Sequence, residues 1–174
     1  DVQLYGNVVE NVQGYNSTEV SFDTSSDYLF DGLILSGVNS VRFNDGDVAL
    51  GRTSDIDGAD LTIAAGARLN LAALGSAVTI NDFSGGGELV LGASQTLTIN
   101  GDVSGSTQVG IGSISANNES LNDPAENHPY IKTSVNTADD SFVLLPYRGN
   151  PNMRFEKSAA GEWMVAKGAP PVLL

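Results

Sequence analysis

Short apolar triplets recur along this chain at a fixed spacing, and that spacing restricts the folds open to it. LIL at 33, LTI at 61 and LVL at 89 are each 28 apart, and VRF at 41, LNL at 69 and LTI at 97 repeat the interval. A third set follows more loosely: VSF at 20 and VAL at 48 are again 28 apart, with VTI at 78 and VGI at 109 at intervals of 30 and 31. Successive side chains of a strand point to opposite faces, so a triplet can bury its outer two residues and turn the middle one to solvent. A triplet makes a poor strand alone. Self-similarity at a fixed period is the signature of a solenoid, in which each repeat is covered by the next.

Three short strands per repeat make one triangular coil, and stacked coils pair equivalent triplets in parallel, about 4.8 Å apart. The spacing therefore predicts an all-β chain folded as a right-handed parallel β-helix of about 28 residues per coil. In that register Leu33, Leu61 and Leu89 stack in one sheet and the triplets at 41, 69 and 97 in a second. The middle residues Ile34, Arg42, Ala49, Thr62, Asn70, Thr79, Val90, Thr98 and Gly110 face outward. Corners rich in Gly, Asn, Asp and Ser, such as SGVNS, AAGAR and GASQT, supply residues that accept left-handed backbone or bond to it locally. A sandwich would give closely spaced turn signals without this register.

Composition divides the chain near His128. Residues 1–127 hold three basic side chains (Arg42, Arg52, Arg68) against seventeen acidic ones, whereas 128–174 hold five basic against four acidic. The same point separates triplets from longer strand-like runs, SFVLLPY, NMRFE and EWMVA, with ANNESLNDPAENHP as a loop or linker before them. This predicts a solenoid over 1–127 and, over 128–174, an antiparallel β cap. In the cap, FVLLPYRGNPNMRFEK forms two strands joined by a turn at 149–152, and Trp163 packs over the last coil. The abrupt ends suggest a piece of a larger protein or a processed one.

Net charge of −13 argues against nucleic acid or an anionic membrane as partner, because a phosphate surface needs a basic patch. No apolar run reaches membrane-spanning length. With no cysteine, disulfide and thiolate-metal chemistry are closed.

The sharpest local motif is DIDGAD, where Asp55, Asp57 and Asp60 surround a glycine as carboxylates do in oxygen-ligand calcium loops. They are the candidate calcium ligands, although the twelfth position of an EF-hand, residue 66, is Gly, and an acidic corner explains them as well. NDGD at 44–47 is a weaker version. No other cofactor is implied. Catalysis on this fold needs clustered outward carboxylates, and the outward positions carry only Arg42 as a charge. Asp82, Glu88 and Asp102 sit at corners, where solvation accounts for them. His128, the only histidine, sits beside Pro129 in a loop, and no G-x-S-x-G elbow is present. Thr62, Thr79 and Thr98 fall in different columns and form no flat threonine ladder.

GADLTIAAGARLNLAALGSAVTINDFSGGGELVLGASQTLTINGDVSG, residues 58–105, resembles the passenger repeats of bacterial autotransporters and related surface adhesins of the pectin-lyase-like β-helix superfamily. The resemblance covers about 33–112 and carries no catalytic motif. It implies a secreted or surface-displayed bacterial protein whose helix serves as a stalk or adhesive face, with a glycan or a host or cell-surface protein as partner. A segment of a glycan-processing β-helix protein, its active site formed by neighbouring sequence, is the alternative.

Overall fold

In the computed structural model, residues 2–4, 18–30, 38–52, 56–113 and 121–169 are described. The chain forms about four stacked coils of a β-solenoid. Its first side is built by β1 (Val2–Leu4), β2 (Thr18–Phe30), the start of β3 (Val38–Leu50), β4 (Asp60–Ile63), β7 (Phe83–Gly85) and β10 (Val103–Gly105). Val2, Val20, Val41, Leu61, Phe83 and Val103 are successive parallel partners along it. The second side takes the end of β3, then β5 (Arg68–Asn70), β8 (Glu88–Leu91), β11 (Thr107–Ile111) and β13 (Phe142–Leu144), stacking Val48, Leu69, Leu89, Val109 and Leu144. The third carries β6 (Ala77–Ile80), β9 (Thr96–Ile99) and β12 (Ile131–Lys132), with Val78, Leu97 and Ile131 in register; Thr79 and Thr98, expected in different columns, are direct partners here, followed by Lys132.

The predicted parallel β-helix is thus the fold, but its coil is shorter than the triplet interval. On the first side Val41, Leu61, Phe83 and Val103 follow one another at intervals of 20, 22 and 20, and on the second side Val48, Leu69, Leu89 and Val109 at 21, 20 and 20. Leu61 pairs with Val41 and Phe83, not with Leu89, which lies on the second side beside Leu69 and Val109. The triplet interval spans one coil plus one side. Val41, Leu69 and Leu97 each sit on a different side for that reason. The triplet at 33 lies outside the described residues.

Inward ladders of Val, Leu, Ile and Phe make one continuous core. Phe22 stacks on Phe43 with ring centroids 4.8 Å apart. At Gly105 (φ +80°), an added Cβ would stand 1.9 Å from the Gly85 carbonyl oxygen, so only glycine fits that corner.

Between β11 and β12 the chain leaves the coil and returns across the outer face of the second side. Leu121 packs on Val90, joined by Leu145 and Tyr147, and Gly110 leaves room for it, since a Cβ there would meet Leu121 at 2.7 Å. This overturns the outward placement of Asn70 and Val90. Asn70 is only 1% exposed; its Nδ2 donates to the Ser113 carbonyl at 2.8 Å and its Oδ1 accepts from the Ala72 amide at 2.9 Å. The return is anchored by His128, whose Nε2 lies 2.6 Å from the Gln95 carbonyl, and by the buried Tyr130, whose hydroxyl accepts from the Ala125 amide at 3.0 Å. Burial pushes the Tyr130 phenol above its usual 10.0, opposed by the Ala125 hydrogen bond and Lys167 and aided by Asp123.

At the C-terminal end the antiparallel cap is present with different partners. The hairpin pairs β14 (Arg154–Lys157) with β15 (Glu162–Ala166), and β15 runs antiparallel to β12. Its turn is at 158–161, where Gly161 has φ +78°. The turn predicted at 149–152 instead carries the chain from β13, a parallel rung of the second side, to β14 on the third-side sheet. Trp163 packs over the last coil as expected: it is 1% exposed, meets Phe142 edge-on at 5.1 Å and donates through Nε1 to Thr133 Oγ1 at 3.0 Å.

The return loop makes a stability prediction. Asn70→Asp keeps the acceptor for Ala72 but loses the donor and sets a carboxylate against the Ser113 carbonyl, costing about 1–3 kcal/mol. Leu71→Asp, in the inner core, costs more, because a charge without a partner is buried. The melting temperature by circular dichroism checks both: a lowered value for Asn70→Asp is expected, and an unchanged one would return Asn70 to solvent.

Candidate functional site

The outer face of the first side gathers polar side chains at one per coil. Arg42, Thr62 and Ser84 are cross-strand neighbours on β3, β4 and β7, and Ser104 continues the row on β10. Thr62 Oγ1 and Ser84 Oγ are 2.9 Å apart. Arg42 faces Glu19 across a 3.6 Å ion pair, both partly exposed, so the pair is worth at most about 1 kcal/mol. Sequence alternation places Arg42 and Thr62 outward correctly.

A second row runs beside it at the corner that precedes each strand. Asp60, Asp82 and Asp102 occupy equivalent positions on three successive coils, and each coil's backbone is tied to the carboxylate before it. Asp60 Oδ1 accepts from the Asp82 amide at 3.1 Å and from Asn81 Nδ2 at 2.7 Å, and Asp82 Oδ1 accepts from the Asp102 amide at 2.8 Å. Solvation alone is therefore not the role of Asp82: it is a rung of an acid ladder. The intervals of 22 and 20 between these aspartates are the sequence signal for the true coil length. Together the two rows line an open groove of about 310 Å³.

The other corner acid, Glu88, belongs to a separate ladder on the second side. Arg68 lies between Asp47 and Glu88, 3.6 Å from each, with strand register placing the three on adjacent coils. Three alternating charges there replace like-charge repulsion between coils with attraction.

Of the calcium candidates, Asp57 is exposed in the turn before β4, Asp60 is engaged in the acid ladder, and Asp55 lies outside the described residues. Among the described residues no group of three or more His, Cys, Asp or Glu side chains is placed to hold a metal ion. No helix among them is long and apolar enough to cross a membrane. Of the aromatic residues, Trp163 and Tyr130 are core, and Tyr147 is half-buried with the Arg148 guanidinium 5.1 Å from its ring centre.

Comparison with protein-family models, with curated proteins and with solved structures finds no match to this chain.

The acid ladder carries its own test. Asp82→Ala removes the acceptor for the Asp102 amide and is expected to cost about 1 kcal/mol, whereas Asp57→Ala, at an exposed turn position, stays within about 0.5 kcal/mol of the parent. Urea unfolding of both variants checks the difference, and equal midpoints would reduce the ladder to surface charge.

Proposed function

We propose that this chain is a structural and adhesive module, non-catalytic in itself, of a secreted or surface-displayed bacterial protein of the autotransporter-passenger type, and that the polar groove of the first side is its ligand face for a glycan or a cell-surface protein. The observation that carries the reading is the groove itself: a hydroxyl (Thr62, Ser84, Ser104) and a carboxylate (Asp60, Asp82, Asp102) repeat once per coil beside the single guanidinium of Arg42, on rigid strands with side-chain positions set by backbone pairing. Such a face presents an elongated row of donors and acceptors with little entropy to lose on binding. The repeat pattern of residues 58–105 supports the passenger-like assignment.

The same geometry speaks against hydrolysis or elimination here. One oxygen of Asp60 and one of Asp82 are held by backbone amides of the next coil, so these carboxylates serve the coil-to-coil joint. The lone cation of the row, Arg42, is occupied by Glu19.

Arrays of glycans and of matrix proteins probed with the parent chain and two variants test the proposal. Ser84→Arg fills the groove from an outward position, and Gln108→Arg adds the same charge to an exposed position on the second side. Binding by the parent and Gln108→Arg with loss in Ser84→Arg is expected. Equal signals from all three would move the ligand face elsewhere, and release of sugar from any polysaccharide would transfer the chain to the glycan-processing class.

A further inference from the structure

The three sides of the solenoid do not end alike. The second side gains a last rung from β13, and the third is closed by β12 and the hairpin. Among the described residues the first side stops at β10, the terminal strand of its sheet. After β12 the chain crosses toward β13 through residues 133–141, but this stretch adds no strand to β10. Its backbone bonds run to Gly161, to Thr107 and within its own turns, and Lys157 ties it aside through the Val135 and Thr137 carbonyls and Asp139.

What β10 leaves open has a defined pattern. In the two preceding coils the residue after the corner aspartate donates its amide to the next coil: Leu61 to the Asp82 carbonyl at 2.8 Å, Phe83 to the Asp102 carbonyl at 2.9 Å. Val103 is next in that series, and its amide has no acceptor among the described residues. In the same two coils the corner aspartate also accepts the next coil's amide, Asp60 from Asp82 and Asp82 from Asp102. Asp102 is next in that series, and its carboxylate has no donor among the described residues. Donor and acceptor therefore stand together at one strand edge, in the geometry that the preceding coils fill with a parallel strand.

We infer that the β10 edge is a strand-addition site that takes an extended polypeptide segment of a partner, added parallel to β10, with an apolar–polar–apolar triplet preceded by a basic residue. Main-chain bonds supply affinity in this mode and alternate side chains supply selectivity. The triplet follows from the column: its first inward position holds Val, Leu, Phe and Val, its outward position Arg, Thr, Ser and Ser, and its second inward position Phe, Ile, Gly and Gly, so that an apolar side chain in the added strand stands over the bare Gly105. The basic residue follows from charge: the segment's leading residue lies against Asp102, Asp139 and Asp140 are exposed on the crossing loop, and the Ser106 hydroxyl bond to the Asp140 carbonyl holds that loop beside the strand. A second acidic chain is disfavoured there by its own charge of −13.

The probe is a short fluorescent peptide carrying Lys-Leu-Thr-Ile, compared with a scrambled peptide and with one led by Asp, read by anisotropy against the parent and Val103→Pro. Proline removes the one edge amide in question, which has no partner among the described residues. Hydrogen exchange of the Val103 amide in the parent, with and without peptide, gives a reading that does not depend on the variant folding. The Lys-led peptide is expected to bind and to protect Val103, and to weaken by about tenfold on Val103→Pro or on the change to Asp, the equivalent of one charge-assisted bond. No binding, equal binding of the scrambled peptide, or binding without protection at Val103 overturns the inference. Self-association of the parent with Val103 protected would replace the partner segment by a second copy and overturn it too.

Discussion

In-register stacking of like residues on adjacent parallel strands is the interaction on which everything else in this molecule depends. The strands of the regular coils are short and have no stability alone. Val41 on Leu61 on Phe83, and Val48 on Leu69 on Leu89 on Val109, convert these fragments into continuous apolar ladders with their backbone groups bonded to the coils on either side. Polar features obey the same translation. Asp60 and Asp82 each accept the backbone amide of the aspartate on the next coil, and Arg68 is placed between Asp47 and Glu88 because each coil advances by nearly the same length of chain.

A solenoid built by repetition has ends, and most of the irregular chemistry of this chain is found where repetition stops. Trp163, Phe142 and Phe155 close the aromatic end of the core. Leu121, with Leu145 and Tyr147, covers a face that would otherwise expose Val90, and Tyr130 joins the main core. Closure is unequal among the three sides, and the unequal side is the one that carries the polar groove. The proposed ligand face and the proposed strand-addition edge thus share a side and one group, the Asp102 carboxylate at the end of the groove: the first otherwise uses outward side chains, the second the backbone of β10.

The architecture is legible in the sequence because triplets with apolar outer residues have no other way to bury themselves, and because Gly, Asn and Asp mark the corners. Coil length is not, for a specific reason. Leu61 and Leu89 both head apolar triplets, and a step of one coil plus one side lands on a triplet as surely as a step of one coil does. Asp60, Asp82 and Asp102 hold the correct interval, but as surface acids they resemble residues placed for solvation alone. Asn70 is misplaced by the sequence pattern because alternation fixes which way a side chain points and not what lies beyond it: the Ser113 carbonyl stands over Asn70 and Leu121 over Val90, and neither is legible from the triplets. Arg42 and Thr62 are placed correctly, since their remote partners Glu19 and Ser84 lie along the same outer face and leave them outward, and Trp163 is placed correctly as a cap residue.

The coil register is the claim on which the groove, the acid ladder and the free edge all stand, and the cysteine-free chain allows it to be tested cleanly. Thr62 and Ser84 are direct neighbours on adjacent coils, at a strand separation of about 4.8 Å that suits a disulfide. Thr62 and Val90 would be neighbours if the coil had the length of the triplet interval. Mild oxidation of the Thr62→Cys, Ser84→Cys pair should give an intramolecular disulfide, seen by mass and by mobility on a non-reducing gel, while the Thr62→Cys, Val90→Cys pair stays reduced. A disulfide in the second pair and none in the first would contradict the account.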